Sequence, residues 1–127
     1  MFEVGVKGAF IAQHRLIGGD WGKENLPHSH RYVAEVSMLA SSLGRHGYVC
    51  DITLLERQLG LAIEHYSDRM LNDLVEFEEL NPSVERLAAL MLERIAQDLP
   101  ADGTTSMTVK LWEDDHAWAS CTRVLGD

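Results

Sequence analysis

Two long stretches of alternating apolar and polar residues constrain this chain more than anything else in it. In residues 2–16, Phe2, Val4, Val6, Gly8, Phe10, Ala12 and His14 share one parity, while Glu3, Lys7 and Gln13 take the other. In residues 28–39, His28, His30, Tyr32, Ala34, Val36 and Met38 share a face. Period two predicts strands with one buried face. Such strands need an apolar layer over them, and the middle of the chain supplies it. Leu55, Leu59, Ala62, Ile63 and Tyr66 stripe one predicted helix, and Thr53-Leu54-Leu55-Glu56 has the form of its capping box. Val84, Leu87, Ala88, Met91, Leu92 and Ile95 stripe a second, which opens after Asn81-Pro82-Ser83 and stops before Pro100. Short strands near residues 106–112 and 117–124 flank the acidic turn Glu113-Asp114-Asp115-His116. The order β-β-α-α-β-β predicts an α+β fold, an antiparallel sheet with two helices on one face.

Composition bounds the partners. The 127 residues carry no repeat or linker, and at about 100–200 residues per domain they make one domain, 1–127. Lys and Arg number 11 against 20 Asp and Glu, a formal net charge of −9, and no basic stripe is present. Nucleic acid is therefore not an expected partner. No apolar run approaches the ~20 residues of a membrane span. Met1-Phe2-Glu3-Val4 lacks the basic start and apolar core of a signal peptide. Cys50 and Cys121 form no disulfide framework and no CxxC pair, so they read as small apolar side chains. A cytoplasmic protein with reduced thiols and no membrane partner is expected.

The sharpest chemical signal is His28-Ser29-His30. Residues i and i+2 of a strand project from one face, so both imidazoles can converge on a point. His14 lies on the apolar parity of the preceding segment and can complete a set of three if the two strands pair antiparallel. Three histidines with a fourth position open is the usual form of a catalytic zinc site. On spacing alone, a half-exposed strand pair and a hydrogen-bonded core histidine explain the same residues equally well.

Phe10–His14 (FxxxH), His28–His30 (HSH), Gly47–Ile52 (GYVCDI), Leu71–Asp73 (LND), Asn81–Glu85 (NPSxE) and Glu113 follow one another in an order that covers nearly the whole chain. Each is weak singly; the ordered set resembles the 6-pyruvoyltetrahydropterin synthase family, which includes the 6-carboxytetrahydropterin synthases of queuosine biosynthesis. The resemblance implies the tunnelling fold, in which β-β-α-α-β-β subunits form rings that stack, usually as a hexamer (a dimer of trimers). It implies zinc as cofactor and a small-molecule pterin as substrate, held in a pocket at a subunit interface. Carried over by position, His14, His28 and His30 match the zinc ligands, with Ser29 where glycine is usual. Glu113 matches the pterin anchor, since a carboxylate accepts two parallel N–H bonds from a 2-amino-4-oxo-pyrimidine. Without the family, Glu113 reads as part of a solvated turn. Ser83 matches a threonine near the pterin ring, although a helix N-cap would also explain it.

Departures from the family are as informative. Its synthases place cysteine four residues before the HxH pair, where this chain has Glu24. An Asp-His dyad precedes the Leu-Asn of LND in the family; Ser67 and Asp68 occupy those two positions here. Thiolate–imidazole proton relay chemistry therefore does not transfer. Family members with glutamate near the cysteine position, commonly three residues before HxH, cleave the side chain of 7,8-dihydroneopterin triphosphate to 6-hydroxymethyl-7,8-dihydropterin, a folate precursor. The expectation is a zinc-dependent lyase on a reduced pterin. Glu24 would be the base, and Asp68 or His65 would return a proton to carbon. Arg15, Lys23 and Arg31 are candidates for the phosphates. The bland readings are a solvated loop for Lys23-Glu24-Asn25 and a helix-end histidine at His65, favourable against the dipole. A pterin- and zinc-binding homologue without turnover is the rival, and a 6-carboxytetrahydropterin synthase with substituted machinery the second alternative.

Overall fold

In the computed structural model, which describes residues 1–100 and 103–125, the two alternating segments become strands β1 (Phe2–His14) and β2 (His28–Ala40). Helices α1 (Ile52–Tyr66) and α2 (Val84–Gln97) follow, then strands β3 (Ser106–Trp112) and β4 (Trp118–Val124). All neighbouring strands pair antiparallel, in the order β1-β2-β3-β4. The predicted α+β architecture is the observed one.

The strand parity determines which side chains meet the helices. Phe10, Tyr32, Val36, Met38, Met107, Val109 and Leu111 are buried beneath Leu55, Leu59 and Tyr66 of α1 and Leu87, Met91 and Ile95 of α2. Helix α1 lies over β1 and α2 over β3 and β4. The approach of α1 is close at Gly8, where a Cβ would come within 2.7 Å of Ile63 Cδ1. Any larger residue there must displace the end of the Ile63 side chain.

Three boundaries differ from the sequence expectation. The α1 cap is Asp51, whose carboxylate accepts from the Thr53 amide at 2.9 Å. Thr53 therefore lies inside the helix and no capping box starts there. An aspartate two residues before the threonine outcompetes it, because a charged acceptor binds the free helix amides more strongly than a hydroxyl. β1 stops at His14 and not at residue 16, since the Leu16 amide turns to the Glu24 carbonyl (2.9 Å) and the Ile17 amide to Asn81 Oδ1 (2.9 Å). β4 begins at Trp118 because the Ala117 amide is taken by Asp114 Oδ1.

The segment after α1 runs along the free side of β1. The Asp68 amide donates to the Ile11 carbonyl at 2.6 Å and the Gln13 amide to the Arg69 carbonyl at 2.9 Å. Asp68 adopts φ +59°, the left-handed conformation that reverses the chain at the helix end. LND forms a 3-10 turn, Leu71–Asp73, and Asn72 clamps the Arg15 backbone through both its amide atoms. Elsewhere the outer edges of β1 and β4 have no strand partner among the described residues. No helix among those residues is long and apolar enough to cross a membrane.

Candidate metal centre and binding cleft

Strand register brings the three histidines together. His14 pairs directly with His28, and His30 pairs with Ala12, so all three imidazoles leave the same face at one end of the β1–β2 ribbon. Their rings meet edge to face, 4.5 Å apart for His14–His28 and 5.0 Å for each other pair. One ring nitrogen from each lies within 4.8 Å of the other two.

Two of these rings are fixed from behind. His14 Nδ1 donates to the Pro82 carbonyl at 2.7 Å, and His28 Nδ1 to the Leu26 carbonyl at 2.8 Å. Carbonyls accept only, so both rings carry a proton on Nδ1, and in the neutral ring the lone pair is then on Nε2. His28 Nε2 is buried with no hydrogen-bond partner. A buried polar atom left this way is costly unless something binds it, and a cation at the centre of the three rings would. The donor set fits zinc: neutral imidazoles oriented by second-layer carbonyls, with room for a further ligand. Burial lowers the His14 pKa; the bond to Pro82 opposes this, and the neighbouring His28 and His30 add to it. The lowered pKa favours the neutral ring, the form that binds a metal.

Asn81-Pro82-Ser83 serves the site through all three residues. Asn81 Oδ1 holds the loop after β1, the Pro82 carbonyl holds His14, and Ser83 Oγ caps α2 by accepting from the Arg86 amide at 3.1 Å. Ser83 also faces the cleft that opens beside the histidines. His14, Glu24 and Glu113 line this cleft as well, with Leu16, Trp21 and Val84 as its apolar part. Asn81 and Glu85 complete the lining.

The acidic turn separates into two functions. Asp114 Oδ1 accepts from the His116 and Ala117 amides, both at 2.7 Å, and these bonds lower its pKa. It is a turn former. Glu113 continues the inward parity of Met107, Val109 and Leu111 and so faces the cleft. Burial raises its pKa; His30 opposes that, and Asp114, Glu24 and Glu85 reinforce it. A ligand that donates two N–H bonds here would relieve an unfavourable anion.

The remaining candidates do not share this cleft. His65 Nε2 lies 2.9 Å from Glu76 Oε2 and 2.8 Å from Arg94 Nη2. Tyr66 donates to the same Glu76 oxygen at 3.1 Å. Burial works to raise the Glu76 pKa, but a bond from its own backbone amide and those from His65, Tyr66 and Arg94 outweigh it and hold the pKa down. Asp68 is exposed beside β1. Arg31 alternates onto the sheet face opposite His30, while Lys23 and Arg15 are exposed near the cleft loop. Sequence reasoning missed Trp21, Asn25, Asn81 and Pro82. Trp21 had one available signal, a lone large aromatic residue in a polar loop.

Comparison with known proteins agrees with this geometry. The model of the family described as 6-pyruvoyl tetrahydropterin synthase matches residues 3–124. A dihydroneopterin monophosphate aldolase from Pyrococcus furiosus is 29% identical over 107 residues, covering 84% of this chain and 85% of that protein. The solved Caenorhabditis elegans 6-pyruvoyl tetrahydropterin synthase superposes with a TM-score of 0.80 at 22% identity, over 99% of this chain and 96% of that one. A Plasmodium vivax 6-pyruvoyltetrahydropterin synthase, solved with a catalytic glutamate replaced by alanine, superposes with a TM-score of 0.82 at 14% identity over 98% of each chain. With the fold, the ordered motifs and the histidine cluster in agreement with a match over nearly its whole length, the chain belongs to the 6-pyruvoyl tetrahydropterin synthase family.

Proposed function

We propose that the protein is a zinc-dependent lyase that cleaves the side chain of a phosphorylated 7,8-dihydroneopterin by a retro-aldol step. The products would be 6-hydroxymethyl-7,8-dihydropterin and a phosphorylated glycolaldehyde. The observation that carries this reading is the cluster of His14, His28 and His30 beside a cleft that His14 shares with Glu24 and Glu113, with a carboxylate where the resemblance places the synthases' thiol. The aldolase name of the Pyrococcus furiosus relative supports it. That name also favours the monophosphate over the triphosphate, and comparing turnover of the two compounds tests the choice.

His14, His28 and His30 would hold the zinc, which when bound supplies positive charge that favours ionisation of a side-chain hydroxyl. Glu113 would fix the pterin edge, and Ser83 lies beside it at the start of α2. Glu24 would take the proton from the hydroxyl on the second side-chain carbon. As the bond between the first and second carbons breaks, its electron pair moves to the first carbon and into the ring. That carbon then takes up a proton. Asp68 is the freer of the two proposed donors, because His65 Nε2 is engaged by Glu76 and Arg94.

Neither Asp68 nor His65 lines the cleft of its own chain, and the cleft holds about 190 Å³. Small-molecule sites usually offer roughly 300–1,000 Å³. Both facts support a site completed by a second copy. The edge of β4 and the part of the β1 edge that residues 68–70 leave uncovered, neither with a strand partner among the described residues, support the same assembly, since exposed strand edges invite pairing. A hexamer is expected, and light scattering at micromolar concentration checks it; a monomer would contradict the proposed assembly.

Anchoring is separable from chemistry. Glu113→Ala is expected to weaken pterin binding by roughly 10–100-fold, because it leaves two ligand N–H groups unpaired, at about 1–3 kcal/mol. Zinc content should be unchanged. Calorimetric titration with neopterin measures the loss.

A further inference from the structure

On the pterin reading just given, we infer that Trp21 is the stacking wall of the cleft. Its indole supports one face of the flat nitrogen heterocycle while Glu113 grips the edge. Trp21 lines the same cleft as His14, Glu24 and Glu113, yet 43% of it stays exposed to solvent. A large aromatic surface left open beside a histidine cluster and a carboxylate suits a ligand with a broad π-face. A pterin is a flat conjugated heterocycle, and an indole stacks on such a face in an offset arrangement.

The loop is built to hold this ring. A Cβ on Gly19 would fall 2.6 Å from the Trp21 Cη2 atom and 2.9 Å from Cζ2 and Cζ3, so the indole occupies the space that a side chain would fill. Asn25 closes the loop through one amide group. Its Nδ2 donates to the Leu16 and Gly19 carbonyls at 3.0 Å each, and its Oδ1 accepts from the Trp21 amide at 2.8 Å. The Leu16 amide bonds the Glu24 carbonyl within the same unit. The wall and the proposed base therefore sit on one stapled loop, and Asn25 is its positioning residue.

The competing role for Trp21 is an apolar cover over Leu16 and Val84, and side-chain chemistry separates the two. Neopterin is titrated calorimetrically into the zinc-loaded parent and into Trp21→Phe, Trp21→Leu, Trp21→Ala and Gly19→Ala. Stacking predicts about tenfold weaker binding for Trp21→Ala and Trp21→Leu. Trp21→Phe should recover most of the loss. Gly19→Ala should weaken binding although every indole atom remains, because its Cβ displaces the ring. Zinc content serves as the control for an intact site and should not change. Parent-like binding by Trp21→Ala, or equal rescue by Leu and Phe, would overturn the inference and leave the pterin reading standing. Failure of the parent to bind neopterin would overturn both.

Discussion

Glu24→Gln is expected to lower turnover by roughly 10²–10⁴-fold while zinc and pterin remain bound. The amide keeps the shape of the carboxylate but has no basicity with which to take a hydroxyl proton. Glu24 is exposed in the 3-10 turn Gly22–Asn25, and its backbone carries the turn's bonds, so the side chain is free to act and cheap to replace. The loss should fall on kcat, with KM little changed, since the group acts in the transition state. Steady-state kinetics on the zinc-loaded protein gives both numbers. Activity equal to the parent would reduce Glu24 to a loop residue. Binding without turnover in the parent itself would favour a pterin-binding homologue that does no chemistry.

Removing the metal should cost about as much. The positive charge that zinc supplies at a developing oxyanion contributes several kcal/mol, or roughly 10³-fold in rate. Chelation of the parent is expected to abolish detectable turnover, and added zinc to restore it. His30→Ala should lose both metal and activity without rescue, because two imidazoles hold zinc poorly. The fold should survive, since His30 sits above the core that Phe10, Tyr32 and the two helices form. Elemental analysis and thermal unfolding of the same samples separate metal loss from unfolding. A parent that takes up no zinc would remove the basis for the proposed chemistry.

Much of the site was legible because strands obey a parity rule. Once residues 2–14 and 28–40 alternate, antiparallel pairing brings His14 opposite His28, and the histidine cluster follows. Helix stripes were legible for the same reason, and the Ser83 cap is a local bond that its own neighbours specify. What stayed hidden depends on contacts between distant residues. Nothing near Pro82 in sequence says that its carbonyl orients His14. The same holds for His65, whose engagement by Glu76 and Arg94 appears only when α1, the following loop and α2 pack. Glu113 and Asp114 are adjacent acids, and only the turn geometry gives one to the backbone and the other to the cleft. The Thr53 cap failed through local competition, because Asp51 is the stronger acceptor for the same free amides.

Bond cleavage in the side chain is the central claim, and product identity tests it most directly. The zinc-loaded protein would be incubated with 7,8-dihydroneopterin monophosphate and, separately, the triphosphate, and all products identified by mass. The expected products are 6-hydroxymethyl-7,8-dihydropterin and an equimolar phosphorylated glycolaldehyde. Release of inorganic triphosphate with a pyruvoyl side chain retained on the ring, or recovery of both compounds unchanged, would contradict it.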